Sequence, residues 1–315
     1  MTDKFDEQKI LHQLAYSHIQ EQKRKRRWSI FFRLMGLLIG LVVIYNVYFA
    51  ASAEQKGSNQ PHIGIVKVNG VMGSDYPANT KNISQSLHQA FDNDQTKAVF
   101  LKINSPGGSP VEADDLYQYI NYLKTEHPDK PIYAICTDMC ASAAYYIASA
   151  TDKIYANRMT LLGSIGVRGG GFGFVGLLDK LGIERRLYTA GDNKDFLDPF
   201  KPQNARQVKI FESILDQVHD VFIDAVKKGR KDRLDLTKAQ QIFSGQPFDG
   251  IQGKKLGLID DYGSVGQIAR GEFDALPIVD YTRKSHFLDR LVDQMGTQAA
   301  TTLQNIGTTQ LEGRY

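Results

Sequence analysis

Between residues 62 and 156 the chain alternates short segments rich in valine and isoleucine with segments of helical periodicity. The predicted strands are residues 62–69, 98–103, 132–136 and 153–156, and the predicted helices are residues 79–92, 110–125 and 141–150. A strand, a helix and then another strand favour a parallel sheet, because parallel neighbours need a long crossover connection. This order predicts an α/β fold with functional loops at the ends of its strands.

Three short motifs lie at or beyond these strand ends. Ser142 stands among small residues, between Ala141 and Ala144, and an earlier turn ends in Gly107 and Gly108. Small neighbours let a carbonyl group approach a serine hydroxyl, and a Gly-Gly turn leaves backbone N–H groups free to hold an oxyanion. A lysine that is kept neutral, here Lys194, can accept the serine proton. These are the components of a serine hydrolase that uses lysine as its base.

The sequence runs that carry these residues are Asn104-Ser105-Pro106-Gly107-Gly108, Ala141-Ser142-Ala143-Ala144-Tyr145-Tyr146-Ile147-Ala148, Gly163-Ser164-Ile165-Gly166-Val167 and Gly191-Asp192-Asn193-Lys194. In order and spacing they resemble the signal peptide peptidase A family of Ser-Lys membrane peptidases. The resemblance covers about two thirds of the chain, from about His62 to Val265. It departs at one point, because many members have Ser-Gly-Gly-Tyr where this chain has Ser142-Ala143-Ala144-Tyr145.

The resemblance implies a ClpP/crotonase-like fold of repeated ββα units. It implies that Ser142 is the nucleophile, that Lys194 is the base, and that Ser164 orients this lysine. Backbone N–H groups of Gly107 and Gly108 would hold the oxyanion. The implied protein is a membrane-anchored serine endopeptidase and a homo-oligomer, with no cofactor and no metal. It would hydrolyse hydrophobic peptides, such as cleaved signal peptides, through an acyl-enzyme.

Two other classes of function share part of this pattern. A crotonase-type acyl-CoA enzyme would have the Gly-Gly turn and the strand-helix order, but it would need neither a membrane anchor nor a Ser/Lys pair. A non-catalytic membrane scaffold would keep the fold while losing Ser142 or Lys194, and both are present. A histidine base stays open, because the members of a catalytic triad are distant in sequence. His88 and His127 are predicted to be surface residues.

A lysine base imposes conditions on its surroundings. Free lysine is charged at neutral pH, so Lys194 needs burial and must lack a paired carboxylate. We expect burial near Phe196 and Leu197, and we expect Asp192 and Asp195 to point away from the lysine.

A basic run, Lys23 to Arg27, precedes 18 uncharged and mostly apolar residues from Leu34 to Ala51. A helix of that length spans about 27 Å, close to the roughly 30 Å of a bilayer core. The basic flank is predicted to stay in the cytoplasm, which places the catalytic domain on the periplasmic side of a bacterial inner membrane. The rival reading is a cleaved signal peptide, since Ala51-Ser52-Ala53 fits a cleavage site.

The predicted organisation has five parts. They are a cytoplasmic basic amphipathic segment (1–33), a transmembrane helix (34–53), a linker (54–61), a peptidase domain (62–280) and a C-terminal helix with a mobile tail (281–315). The net charge of +3 is too small to argue for a nucleic-acid partner. Peptides, the membrane and further copies of the chain are the expected partners.

Three further features carry predictions of their own. Cys136 and Cys140 are predicted to be buried thiols, and a disulfide across three intervening residues is geometrically awkward. The glycines of a G-x-G-x-x-G pattern, Gly171, Gly173 and Gly176, come too late in the chain for a dinucleotide fold and are predicted to line the substrate groove. A helix over 205–228 carries an apolar stripe that faces either the core or another subunit.

Overall fold

The computed structural model describes residues 23–42, 45 and 59–283. Contacts divide the chain into two units, Met1–Asn59 and Gln60–Tyr315. In the first unit, residues 23–42 form helix α1, which includes the basic run and one further arginine, Arg33. Within the described residues, no helix combines the length and the apolar character that a membrane span needs. Most of the second half of the predicted span, residues 1–22, and the predicted C-terminal helix and tail from residue 284 onward lie outside the described residues.

The second unit alternates strands and helices. Its strands are β1 (His62–Asn69), β2 (Thr96–Ser105), β3 (Ile132–Ala141), β4 (Lys153–Ala156), β5 (Leu161–Gly163), β6 (Pro247–Phe248), β7 (Asp261–Tyr262) and β8 (Ile278–Asp280). Its helices are α2 (Thr80–Asp92), α3 (Pro110–Glu126), α4 (Ala143–Ser149), α5 (Val175–Leu181), α6 (Ala205–Arg230), α7 (Ala239–Ile242), α8 (Gly250–Lys255) and α9 (Val265–Glu272), with 3₁₀ turns at Lys231–Arg233 and Leu236–Lys238. The predicted α/β class is confirmed.

The strands form one mixed sheet in the order β6-β5-β3-β2-β1-β8. All pairs are parallel except β5 with β6. Strand β2 pairs with one edge of β3. The other edge of β3 pairs first with β4 and then, further along β3, with β5. Within the described residues, β4 and β5 are the only two strands that follow each other without a helix between them. Alternation of single strands with helices therefore replaces the expected ββα repeat. A strand that returns parallel to its neighbour needs a long crossover, and helices α2, α3 and α4 provide it between the first four strands.

Both faces of the sheet are covered, as an alternating pattern of buried residues shows. In β2, Val99, Leu101 and Ile103 belong to the larger core cluster, which also takes in residues of α2, α3, α4 and α6. Ala98 and Phe100, at the intervening positions, belong to a second cluster that contains residues of α9. All five are fully buried. A sheet with both faces covered explains the continuous apolar runs of the central strands.

The largest departure from the predicted boundaries concerns β3. This strand was expected to end at residue 136 but continues to Ala141. Its register with β2 shifts, because Ile103 lies opposite Cys136 whereas Ser105 lies opposite Cys140. This register shift is a β-bulge. Beyond it β3 pairs with β5, so that the strand ends five residues later than predicted. Helix α4 therefore starts at residue 143 rather than 141, immediately after Ser142.

The two cysteines are free and buried, as the preferred sequence interpretation predicted. Both side chains lie in the larger core cluster. Burial raises the pKa of the Cys140 thiol well above its ordinary value, and the neighbouring Cys136 thiol adds to this effect. A thiol that stays neutral is a poor nucleophile, so Cys140 contributes packing rather than chemistry.

Helix α6 divides into two halves. Near its C-terminal end Phe222 and Val226 are buried, whereas Ile210 and Ile214 near its start are exposed. The predicted apolar stripe therefore packs on the core only along its second half. The first half leaves apolar side chains without cover among the described residues.

A buried ion pair joins the end of α6 to the segment before β7. The Arg230 guanidinium is fully buried and donates to Asp260 Oδ2 at 2.7 Å and to the Gly257 carbonyl at 2.9 Å. Asp260 also accepts from the Ile154 backbone N–H at 2.7 Å. Burial raises the pKa of Asp260, but the Arg230 hydrogen bond and charge lower it by more, so that it lies below its ordinary value.

Asp260→Asn should lower the free energy of unfolding at pH 7 by about 3 kcal/mol, because it leaves the Arg230 charge buried and unpaired. A carboxyl group whose pKa is lower in the folded than in the unfolded state stabilises the fold at pH values above its unfolded-state pKa of about 3.9. That contribution is lost as the pH falls through its folded-state pKa. The variant should therefore lose stability less steeply in acid. Denaturant unfolding at several pH values measures both effects.

Asp261→Asn, which breaks the exposed pair with Lys254, is the control and should cost about 0.5 kcal/mol or less. Equal losses in the two variants would contradict this account.

Candidate active site

Ser142 occupies a sharp turn between β3 and α4. Its φ of 55° and ψ of −128° lie in a region that a serine adopts only when its surroundings hold it there. The Ser142 N–H donates to the Gly163 carbonyl at 2.8 Å, and its carbonyl accepts from the N–H groups of Tyr145 and Tyr146 at 2.9 and 3.0 Å. Its hydroxyl makes no hydrogen bond among the described residues. A strained strand-to-helix turn with a free hydroxyl is the geometry of a nucleophile elbow.

Helix α4 holds this turn from behind. All of its residues are buried, and the Tyr145 hydroxyl donates to the Leu258 carbonyl at 2.7 Å. Ala144 points into the core, whereas Ala143 also borders the cleft in front of Ser142. Of the two methyl groups that replace the more common Gly-Gly pair, only the one on Ala143 therefore reaches the cleft.

The Gly-Gly turn lies directly against Ser142. Gly107 has a φ of 98°, and a Cβ atom there would lie 2.8 Å from the Ser142 Cβ, so that only glycine fits. Its carbonyl accepts from the Met72 N–H at 2.9 Å, and the Met72 carbonyl accepts from the Ser109 N–H at 2.9 Å. A Cβ at Gly108 would lie 1.9 Å from the Met72 oxygen. Met72 thus holds the turn in place.

The two glycine N–H groups differ in availability. Gly107 N–H donates to the buried Ser105 hydroxyl at 3.1 Å, whereas Gly108 N–H makes no hydrogen bond among the described residues. The N–H of Ala143, in the first turn of α4, is equally without a partner in the described part of the chain. The position that a Cβ would take at Gly107 is 2.9 Å from the Ala143 nitrogen, so the turn and the start of α4 are adjacent. Ala143 was not predicted as a site residue, although its place after the nucleophile was a usable signal.

Ser164 follows β5 and also has a positive φ, of 50°. Its N–H donates to the Gln246 carbonyl at 3.1 Å, and its hydroxyl donates to the Gly245 carbonyl at 3.2 Å. The hydroxyl oxygen keeps its lone pairs, so it can still accept a hydrogen bond from an ammonium or amine group.

Ser142, Ser164 and Gly108 border one cleft of about 800 Å³. Its apolar wall includes Val111, Val167, Val218 and Phe222, and its charged or titratable groups are Asp114, Asp115, Arg168 and His219. This volume and this mixed lining suit an extended peptide segment. No group of three or more potential metal ligands lies together within the described residues.

Lys194 is not among the residues that border this cleft. It lies on a loop between α5 and α6, its side chain is exposed, and it makes no ion pair within the described residues. The expected burial near Phe196 and Leu197 is therefore wrong for a single chain, because this loop has no covering layer there. Asp195 is bound elsewhere, to Lys201 at 2.8 Å and Gln207 at 3.1 Å.

A residue outside the predicted set, His219, does border the cleft. Its Nε2 lies 3.1 Å from the Ile165 carbonyl oxygen. A carbonyl only accepts, so Nε2 carries the proton. Sequence analysis missed this residue because it is 77 positions beyond Ser142. The available signal was its place on the inner stripe of α6, one turn before the buried Phe222.

Comparison with known proteins agrees with this architecture. The sequence profile of Peptidase family S49 matches residues 124–272, and that of Clp protease matches residues 71–164. The Brucella abortus protein named "Na(+)/H(+) antiporter NhaA" is 36% identical over 78% of this chain, which spans only 32% of that protein's length. The Haemophilus influenzae "Protease 4" is 28% identical over 65% of this chain and 33% of its own length.

The match that shows the family is a protein of Enterococcus faecium named "Putative signal peptide peptidase SppA". It is 31% identical, and the similarity covers 76% of this chain and 78% of that protein. The mixed α/β sheet accords with the ClpP-like superfamily that the second profile indicates. The chain therefore belongs to Peptidase family S49, the signal peptide peptidase A type, within the ClpP-like superfamily.

Proposed function

We propose that this protein is a serine endopeptidase that hydrolyses short hydrophobic peptides, including the remnants of cleaved signal peptides. The observation that carries the proposal is the free Ser142 hydroxyl on a strained turn facing a peptide-sized cleft. The Ser142 oxygen attacks the scissile carbonyl carbon, and the serine proton passes to the base. The leaving amine takes up a proton, and water then cleaves the acyl-enzyme ester.

The backbone around Ser142 supplies the oxyanion site. The N–H groups of Gly108 and Ala143 are both without partners in the described residues and flank the nucleophile. Two fixed N–H donors stabilise the developing negative charge without reorganising during the reaction. The Gly107 N–H, predicted as an oxyanion donor, is bound to the Ser105 hydroxyl. In the proposal glycine is required at this position because a side chain there would displace Ser142.

The proposed base is Lys194, which the family resemblance implies and which its own subunit leaves exposed. The segment that precedes it in the chain carries exposed apolar side chains, among them Phe172, Leu181 and Tyr188. An apolar surface of this kind favours association with another copy of the chain. A neighbouring copy could cover this surface and bring Lys194 to the Ser142 cleft, where the Ser164 oxygen would accept a hydrogen bond from it. The active form is thus proposed to be a homo-oligomer.

A membrane anchor is proposed for the N-terminal part of the chain. Its support is the sequence: a basic run, Lys23–Arg27, before the uncharged segment from Leu34 to Ala51. The proposed topology is single-pass in a bacterial inner membrane, with the peptidase domain outside the cytoplasm. A reporter enzyme that works only after export should be active when it is fused after Tyr315. A reporter that works only in the cytoplasm should be silent there, and a signal from it would contradict the topology.

The direct test of the activity uses the purified full-length chain and fluorogenic peptides. We expect hydrolysis of short apolar peptides and little cleavage of a folded protein, because a cleft of about 800 Å³ suits a short extended segment better than a folded surface. Equal cleavage of both substrates would contradict a cleft that selects short extended peptides. Absence of any hydrolysis by the assembled protein would contradict the peptidase assignment.

A further inference from the structure

Helix α6 is fixed to the helix that follows the nucleophile. The Phe222 ring packs on the Tyr146 ring of α4, with centroids 4.9 Å apart. Two turns later Gly229 lies so close to the end of α4 that a Cβ atom would be 1.9 Å from the Ser149 carbonyl oxygen. These two contacts set both the rotation and the position of α6 relative to α4. Any group on the same face of α6 therefore has a defined place relative to Ser142.

His219 is such a group, because it precedes Phe222 by three residues and shares its face of the helix. Its Nε2–H donates to the Ile165 carbonyl at 3.1 Å. Ile165 is buried and directly follows Ser164, whose φ of 50° is unfavourable for a serine. The peptide on the N-terminal side of Ser164 is held by Gln246. The His219 bond holds the peptide that follows Ile165.

We propose that His219 is a positioning residue for the peptidase reaction and acts through Ile165 and Ser164. By holding the Ile165 carbonyl, it keeps Ser164 in its strained conformation, with the hydroxyl on Gly245 and the oxygen lone pairs toward the cleft. Without it, the segment can relax toward an ordinary backbone conformation and move the Ser164 oxygen. This inference rests on the proposed function, in which Ser164 orients the base that serves Ser142.

The rival role for His219 is that of the base itself. Its Nδ1 makes no hydrogen bond among the described residues, and the charged groups that border the same cleft are Asp114, Asp115 and Arg168. The two roles need different atoms. A positioning role needs only the Nε2–H donor, whereas a base needs the imidazole.

The test compares His219→Ala and His219→Gln in the full-length chain, with Asp220→Ala as the control on the exposed side of α6. The Gln amide can supply an N–H donor at a similar reach but cannot act as a base. We expect His219→Ala to lower kcat by about 10- to 100-fold with KM changed by less than about threefold, because the loss is in the alignment of reacting groups. His219→Gln should recover most of this loss, and Asp220→Ala should behave as the unmodified protein.

A second measurement separates misplacement from unfolding. The rate at which a fluorophosphonate modifies Ser142 should fall in His219→Ala in parallel with kcat, while the thermal midpoint changes little. An unchanged kcat in His219→Ala would overturn the proposal, and so would a His219→Gln variant as inactive as His219→Ala. Either result would leave the assignment of Ser142 standing. Full activity of Ser142→Ala would instead remove the proposed function itself.

Discussion

Ser142→Ala is expected to lower the rate of peptide hydrolysis by at least about 10⁴-fold, because no acyl-enzyme can form without the hydroxyl. The fold should survive, since the substitution removes one oxygen that makes no hydrogen bond among the described residues. Alanine is less suited than glycine to a φ of 55°, but serine carries the same Cβ atom and the same strain. Steady-state hydrolysis of a fluorogenic apolar peptide and a thermal unfolding curve measure the two effects.

A matched control for this substitution is Ser84→Ala. Ser84 lies on α2, is not among the residues that border the cleft, and its hydroxyl donates to the Lys81 carbonyl at 3.3 Å. Its loss should leave the rate of hydrolysis within a few-fold of the unmodified protein. Wild-type turnover by Ser142→Ala would refute the assignment of the nucleophile.

Lys194→Ala should reduce activity to a similar extent, because residues that act as one catalytic unit give losses that do not add. Lys194→Arg should not restore it, since a guanidinium stays charged and cannot accept the serine proton. Neither substitution should change the stability of the single chain, because the Lys194 side chain is exposed. Retained activity in Lys194→Arg would show that the lysine binds substrate rather than acting as the base.

Mixing the two inactive variants tests where the lysine comes from. If Lys194 serves the Ser142 of a neighbouring copy, subunits of Ser142→Ala and Lys194→Ala assembled together should regain about a quarter of the wild-type rate. Each variant alone should remain inactive after the same dissociation and reassembly. A mixture with no activity, in an assembly shown to contain both variants, would contradict a lysine supplied by another subunit.

The sequence predicted the elements whose signals are local. β1 and β4 have the predicted bounds, since each is a short run of valine, isoleucine and other strand-forming residues limited by turns. The position of Ser142 at a strand-to-helix junction was also predictable, because small residues and a following apolar helix mark it. The five-residue extension of β3 was not, because a bulge depends on which residues the neighbouring strands place opposite it.

The parts of the site that could not be predicted depend on contacts between distant segments. One missed contact is local: the Ser105 hydroxyl accepts from the Gly107 N–H two residues later, a pattern typical of serine turns. The approach of His219 to Ile165 requires α6 to be docked on α4. Lys194 is exposed in the folded single chain, whereas its role as the base was inferred from a sequence motif.

The measurement that tests the central claim most directly is covalent labelling of the assembled full-length protein with a fluorophosphonate, followed by proteolysis and mass mapping. The phosphonate phosphorus forms a bond to the nucleophilic serine oxygen, and fluoride leaves with the serine proton transferred to the base. We expect a single adduct per chain, on the peptide that contains Ser142, and strongly reduced labelling in Lys194→Ala. An adduct on Ser164 or another serine, with Ser142 unmodified, would contradict the account.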